Sequence, residues 1–536
     1  MKKLNQILAL TLLTINGFAQ NFTSTSYKGA FAPSPAAAWT DNWTNWDPQS
    51  VPYPSTNQTV NSDISSNTTW TTGSVILLQN KVYVTNNAVL TIQPGVIIRG
   101  DKATEGTLII TKGAQIQAQG TSANPIVFTS NFASGSRAPG DWGGLILLGN
   151  ASNNQPGGTA VIEGGLDSLK AQYGGNNDMD NSGTLSYVRI EFAGFPFQPD
   201  KEINGLTFGS VGYGTTINHI QVSFSNDDSY EWFGGTVNCY NLVAYCGVDD
   251  NFDTDNGFRG NCQFLLGVRE PSLADQCTCS TSEGFESDNN SGGTTATPIT
   301  GAVFSNVTEI GPYRGSTSST IDAKFKRALR IRRNSSISIF NSVFTDWPTG
   351  LHIDGSSSEA NAAANTLVFK NNVFAGMGAN TQVNSGSTFD IVNYFNSNNN
   401  TAFTNGADVL LTNPYDFTIN DFRPTASSPL ISGADFTHPF LAVGVQEISN
   451  DFQALLSPNP CQDEFSVQIA FKKPARVKID LYDIRGLFQQ TLYESEMQTM
   501  NNQRLSFTTK NIPSGIYMVK ISSESDSKTM KLIVTQ

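Results

Sequence analysis

From Lys81 onward the chain is a succession of short apolar, β-branched runs separated by glycine and asparagine. Residues 82–85, 89–92, 96–98, 108–111, 115–117 and 126–129 each read as a short strand, with Gly95, Gly113 and Gly120 marking corners between them. No helical period of 3.6 survives anywhere in this stretch. Further along, the pattern aligns with itself. At an offset of 22, Asp227-Asp228 falls on Asp249-Asp250, Glu231 on Asp253, Gly235 on Gly257, Ile220 on Leu242 and Leu242 on Phe264. The same offset carries residues 328–331 onto 350–353, and an offset of 33 carries 252–256 onto 285–289. A period near 22 residues with three short strands in it predicts an all-β, right-handed parallel β-helix, with apolar side chains stacked coil on coil inside. A propeller needs blades of about 40 residues with a recurring blade motif, and none is present.

The coils are expected over residues 76–442. Residues 20–75 hold Trp39, Trp43, Trp46 and Trp70 among polar neighbours and are expected to cap the first coil. Exposed sugar-binding platforms are the alternative for those tryptophans. Residues 443–456 read as a linker.

A one-coil period has an electrostatic consequence. Equivalent residues on neighbouring coils stand about 4.8 Å apart, so Asp227 and Asp228 stack near Asp249 and Asp250. Glu231, Asp253 and Glu286 fall in one file, and Asp255 and Asp288 in the next. Two carboxylates at that spacing repel by roughly 1 kcal/mol in water and by several times more at a protein surface. A column of them calls for a cation or for retained protons. Ca²⁺ takes six to eight hard oxygen ligands, so Asp227, Asp228, Asp249, Asp250, Asp253 and Asp255 are the expected calcium ligands. Turn chemistry alone is one alternative, and a catalytic acid pair is another. Arg330 and Arg332 alternate with Leu329 and Ile331 and are expected to point outward. Together with Lys324, Lys326, Arg327 and Arg333 they either grip acidic groups of a polymer or pair with acids on neighbouring coils, and the second reading is preferred.

Composition sharpens this picture. Charged residues make up 14% of the chain and glycines number 47, which suits short strands and tight turns. The net charge is −13, yet residues 225–290 alone carry twelve acids against two bases. That concentration excludes a nucleic-acid partner for the region. Five of the six cysteines lie between Cys239 and Cys279, where one or two disulfides are expected. No C-x₂-C pair suggests zinc. His219, His352 and His438 are the only histidines, and the first two read as outward strand residues, not catalysts. Met1-Lys-Lys, an apolar run at 7–13 and small residues at Gly17 and Ala19 predict a signal peptide over 1–19. No stretch reaches the roughly 20 apolar residues that span a bilayer.

The C-terminal eighty residues and the body each resemble a known family. Ser457-Pro-Asn-Pro460, Lys478-Ile-Asp-Leu-Tyr-Asp-Ile-Arg-Gly486, Asn511-Ile-Pro-Ser-Gly-Ile-Tyr-Met-Val-Lys520 and residues 528–534 follow one another in the last eighty residues. Together they resemble the C-terminal sorting domain of type IX secretion cargo. The resemblance implies a small immunoglobulin-like β-sandwich over 457–536, the type IX machinery as partner, delivery through the periplasm to the cell surface or exterior, and removal of the tail there. The body resembles a group of secreted β-helix proteins of unassigned activity that share Asp141-Trp-Gly-Gly-Leu-Ile146, Asn226-Asp-Asp-Ser-Tyr-Glu-Trp-Phe-Gly234 and Asp249-Asp-Asn-Phe-Asp-Thr-Asp-Asn-Gly257. Asp253-Thr-Asp255 and Arg330-Ile-Arg332 faintly resemble polygalacturonase segments, without the Gly-His-Gly motif of those enzymes.

The expectation is a secreted or surface β-helix protein that binds a polysaccharide or surface matrix with calcium. Its ligand-binding residues would be Glu231, Trp232, Glu286, Asp288, Arg330 and Arg332. A polysaccharide lyase or glycoside hydrolase acting at Glu231, Asp253 and Asp255 is the first alternative, and a structural adhesion protein the second.

Overall fold

The computed structural model describes residues 22–535 apart from 198–202, 279, 318, 418, 442–451, 458, 460, 472–474, 484–486, 498–502 and 524–526. The signal peptide expected over 1–19 lies outside the described residues. The chain divides into two compact units, residues 1–442 and 443–536.

The first unit is a parallel β-helix. Ten strands, from Lys81–Val84 to Ala379–Val383, form one parallel sheet in strict chain order, as only a solenoid allows. The other two faces of each coil belong to a 17-stranded sheet, because single strands bend from one face to the next. The bend is a residue in the left-handed region. Tyr187, His219, Asn241, Phe264 and Asn306 occupy it on successive coils, with φ between 52° and 61°. Asparagine accepts this conformation easily, whereas a bulky side chain is strained there. The three coils with Tyr187, His219 and Phe264 at the bend therefore carry a local cost, offset by ring contacts such as His219 on Tyr187, centroids 4.4 Å apart.

Register confirms most of the sequence alignment and corrects one pair. Tyr230 pairs with Phe252, Ile220 with Leu242, Phe252 with Phe285, and Leu329 with Leu351. Leu242, however, pairs with Leu265 and not with Phe264. Phe264 is the left-handed corner residue opposite Asn241, so the coil advances by 23 and Phe264 leaves the inward file. Inside, Tyr230, Phe252 and Phe285 stack with centroids 5.6 and 4.9 Å apart. Each such side chain contributes about 1.5–3 kcal/mol by leaving water. The helix Ile391–Ser397 lays buried Ile391, Tyr394 and Phe395 over the last coils, and Asp390 caps it by accepting the Asn393 N–H at 3.0 Å.

Coil length varies at the corners, and this positions the site. The step from Leu145 to Leu206 is 61 residues, from Phe252 to Phe285 it is 33, and from Phe285 to Leu329 it is 44. The surplus forms loops that wall the outer surface of the ten-stranded sheet.

The segment before Gln58 does not cap the first coil. It runs along the outside of the long sheet. Lys28 N–H donates to Leu430 O, Gly29 N–H to Asn341 O, Asn45 N–H to Gln221 Oε1, and the Tyr53 hydroxyl to Glu191. The reason lies in strands such as Cys239–Tyr245 and Asn261–Val268, which are apolar on both faces. Val243, Tyr245, Leu266 and Val268 point outward, and buried Phe31 and Trp43 cover them. Trp43 and Trp70 are fully buried, while Trp39 and Trp46 are partly so. The sugar-platform reading of these tryptophans fails for the same reason.

The second unit packs a three-stranded antiparallel sheet (Phe452–Ser457, Glu464–Phe471, Gln503–Thr508) with a four-stranded one (Ala475–Asp483, Phe488–Met497, Gly515–Ser522, Ser527–Val534). Val467, Ile469, Val477, Ile479, Val519, Ile521 and Leu532 share its core, which makes it a small sandwich. Residues 452–456, expected as linker, are strand here. Among the described cysteines, Cys239, Cys246, Cys262 and Cys461 are free and buried, and Cys277 is disulfide-bonded.

Candidate functional site: an acidic row on the ten-stranded sheet

The outward residues of the ten-stranded sheet form files one coil apart. Backbone register places Thr207, Glu231, Asp253, Glu286, Arg330 and His352 in a single file. Charge changes sign along it, from acid to base, between Glu286 and Arg330. The strand Tyr230–Phe233 sends Tyr230 and Trp232 inward by alternation and Glu231 outward. Trp232 is consequently not a ligand-binding residue. It is fully buried and stacks between Phe208 and Phe258 at 5.5 and 5.3 Å.

Carboxylates gather where this file meets the preceding corner. Three overlapping sets have ligand oxygens within 4.8 Å of one another: Asp227, Asp228 and Asp249; Asp228, Glu231 and Asp253; Asp250, Asp253 and Glu286. Five of the six residues read as calcium ligands are in these sets, joined by Glu231 and Glu286. Asp255 belongs to none of them. It lies two residues beyond Asp253 on one strand, about 6.8 Å along it, in the file of Asp288.

The two members of each Asp-Asp pair have separate roles. Asp228 Oδ1 accepts the N–H of Asp250 at 2.8 Å, Asp250 Oδ1 accepts the N–H of Glu283 at 2.5 Å, and Glu283 Oε2 accepts the N–H of Arg327 at 2.8 Å. The second acid of each corner thus braces the next coil. Asp249 instead accepts from Ser280 Oγ at 3.0 Å. Glu231 Oε2 accepts from Asn204 at 2.5 Å, and Asp253 Oδ1 is buried with no partner.

Beyond Glu286 the acids are paired. Arg330 meets Glu286 at 3.2 Å and Asp354 at 2.9 Å. Arg332 bonds Glu286 and also Asp288 at 2.8 Å, and Arg333 reaches Asp288 at 2.7 Å. The preferred reading of these arginines, pairing with neighbouring coils, is what the structure contains. In contrast, Asp228, Glu231, Asp249, Asp250, Asp253 and Asp255 make no ion pair among the described residues.

That difference appears in their acidity. Burial first, and neighbouring acids second, push Asp228, Glu231, Asp249, Asp250 and Asp253 well above the usual carboxylate range. Asp255 is pushed up to about 7, by burial and then Asp288. Glu286 also reaches about 7, burial outweighing Arg332. Beneath the corner, inside the solenoid, buried Arg269 donates to the carbonyls of Gly247 (2.9 Å) and Glu283, tying together two acid-bearing turns. Glu309, also interior, is pushed up to about 8 by burial despite Arg269.

Sequence reasoning missed Glu283, although the 33-residue offset that carries Phe252 to Phe285 also carries Asp250 to Glu283. Asn204 and Ser280 come from loops outside the repeat, Arg269 directly follows the strand Asn261–Val268, and Glu309 sits on a strand whose inward positions read as apolar. No periodic signal marks them. His219 packs against Trp39 and Trp43, away from the file, and His352 stands at the basic end of the file beyond Arg330, where it meets Asn384 at 3.0 Å.

Comparisons with known proteins follow this architecture. A family model described as a pectate-lyase-like β-helix domain matches residues 62–413, and one described as a secretion system C-terminal sorting domain matches residues 456–535. No curated protein matches. Among solved structures, the Dettilon tailspike protein gp208 is similar at 9% identity, over 86% of this chain and 84% of its own, with a TM-score of 0.24. The tailspike gp49 of Acinetobacter baumannii bacteriophage Fri1, a capsular polysaccharide depolymerase, is similar at 11% identity over 86% and 81%, with a TM-score of 0.17. Likeness at that level adds nothing to the fold already seen in the register. Among the described residues, no helix is long and apolar enough to cross a membrane. The chain belongs to the pectate-lyase-like β-helix family, and its sorting domain marks it as type IX secretion cargo bound for the cell surface or exterior.

Proposed function

We propose that this is an extracellular β-helix protein that binds polysaccharide on its ten-stranded face, with Ca²⁺ held in the acidic row. The observation that carries the reading is the overlap of three carboxylate sets with oxygens within 4.8 Å. Oxygens that surround Ca²⁺ at 2.3–2.6 Å stand at most about 5 Å from one another, so the donor set fits that ion. Asp253 Oδ1, buried without a partner, is the kind of group a cation satisfies. Any one of the three sets, drawn from Asp227, Asp228, Asp249, Asp250, Asp253, Glu231 and Glu286, would hold an ion, and the ion would supply positive charge to which sugar hydroxyls and carboxylates can bind. The machinery partner follows from the sorting domain, while the glycan partner is part of this proposal.

A catalytic reading has one specific support. Retaining glycosidases place two carboxyl groups about 5–5.5 Å apart, one of them protonated, and the row offers close pairs with raised acidity. Calorimetry and melting curves with calcium and with chelator test the metal. Calcium at a hundredfold excess over its dissociation constant stabilises by about 2.7 kcal/mol. Asp253→Asn should weaken that gain, to about 1.4 kcal/mol for a tenfold loss of affinity. Identical melts with calcium and chelator would sink the metal reading. A glycan array, followed by reducing-sugar and unsaturated-uronate assays, separates binder from enzyme.

A further inference from the structure

Cys239 and Cys262 meet inside the solenoid, away from the outward files. The inward file Ile217, Cys239, Cys262, Phe304 sets one cysteine directly against the other on neighbouring coils. Both are fully buried in the main core. Register partners on adjacent parallel strands have Cα atoms about 4.8 Å apart, inside the roughly 4.4–6.8 Å that a disulfide spans. Their side chains already touch, the Cys262 thiol being hydrogen-bonded to that of Cys239. The other free cysteines are placed differently: Cys246 lies beside Val268, and Cys461 is bridged to Val534.

The sorting domain sends the chain out of the cytoplasm, into compartments where disulfides form and persist. Timing follows from burial. Burial first, and Cys239 second, push the Cys262 thiol well up, and the thiolate is the reactive form. A thiol already sealed in the core is therefore inert. Oxidation belongs to the stage at which the coil of Cys262 settles on that of Cys239, before Phe304 covers the pair. After closure the same burial shields a bond from reductants. Position gives the bond a consequence for the outer face. The 22 residues between the two cysteines include Asp249, Asp250, Asp253 and Asp255, so a link here closes a ring around the corner that carries them.

We infer that Cys239 and Cys262 are a modification site, oxidised by a disulfide-bearing oxidant as the coils close and joined into a covalent staple across the acidic corner. One cysteine thiolate attacks the oxidant's S–S bond, which breaks to give a mixed disulfide and a released thiol. The second cysteine then attacks the first one's sulfur and expels the oxidant's other thiol. The pair loses two electrons and two protons, and the oxidant ends as a dithiol. None of this depends on what the outer face binds.

The test starts from protein purified from its host culture, with free thiols trapped at harvest by iodoacetamide in guanidinium without reductant. Digestion and mass spectrometry should find the peptides of Cys239 and Cys262 joined, two hydrogens lighter than the separate pair, while Cys246 carries the alkyl group. This map needs no variant. C239A should in turn open Cys262 to alkylation, and C262A should open Cys239. Melting curves then weigh the bond, since closing a ring of this size should raise the melting temperature by about 4 °C in a domain this large. Either single change forfeits that gain, so C239A/C262A should cost less than the two singles added together. Alkylation of both cysteines in the parent overturns the inference, as does linkage of either to a different cysteine. Strictly additive losses, or single variants that melt with the parent, overturn the staple.

Discussion

At the residue scale the protein tolerates a concentration of negative charge that an ordinary surface does not. Asp255 and Glu286 titrate near 7 in the folded chain, against ordinary values of 3.8 and 4.5. Between those limits the folded state holds more protons than the unfolded one, so stability falls as pH rises through the window. Chelated protein should therefore melt at a higher temperature at pH 5 than at pH 7.5. Calcium should flatten the part of that slope carried by Glu286, because a bound cation replaces its proton, while Asp255 lies outside the ligand sets. Glu309, inside the solenoid and pushed up to about 8, adds a fall that calcium does not remove. Calorimetric scans across pH, with and without chelator, read the difference. Equal slopes in the two conditions would show that the acids gain nothing from the ion. The file of Glu231, Asp253 and Glu286 was legible in the sequence because offsets of 22 and then 33 carry each member onto the next. The unpartnered oxygen on Asp253 was not, since it depends on which loop donors reach the row.

At the element scale three successive corners are each held to the next coil by a carboxylate that receives a backbone N–H. Asp250 does this for the turn at Glu283. Asp250→Ala leaves that buried N–H without an acceptor, at a cost of about 1–3 kcal/mol. Asp250→Asn keeps an oxygen in place while removing the charge. In chelator the Asn variant should match or exceed the parent in melting temperature, and the Ala variant should fall below it. An Ala variant as stable as the Asn variant would mean that the brace contributes nothing. The strands themselves were predictable, since short β-branched runs between glycines admit little else. Their bends were less so, because a left-handed corner can be filled by Tyr187, His219 or Phe264 as well as by Asn241 and Asn306. That is how Leu242 came to be aligned with Phe264 and not Leu265.

At the scale of the whole molecule the two units answer different demands. The solenoid presents the acidic row, and the sandwich carries the export label. Deleting residues 457–536 should leave the protein in the periplasm of its host, and fractionation with immunoblotting measures it. Normal amounts of the truncated form outside the cell would refute the label. The segment over residues 22–57 belongs to the solenoid's stability, not to its ligand. It covers outward apolar side chains that no composition count distinguishes from inward ones.

The sequence by itself determined the repeat, the parallel β-helix, the acidic files and the sorting domain. Each is periodic or carried by contiguous residues, and identical backbone geometry turns a constant offset into a constant spacing. Only the tertiary structure decided which acids remain without counter-ions. Arg330, Arg332 and Arg333 reach back 44 or 45 residues to Glu286 and Asp288 and stop there, leaving Asp228, Asp249, Asp250 and Asp253 to one another. It also decided that Trp232 faces inward and that Lys324 and Lys326 turn to backbone carbonyls. Those outcomes depend on side-chain direction and on loops of unequal length, and neither is written in the period.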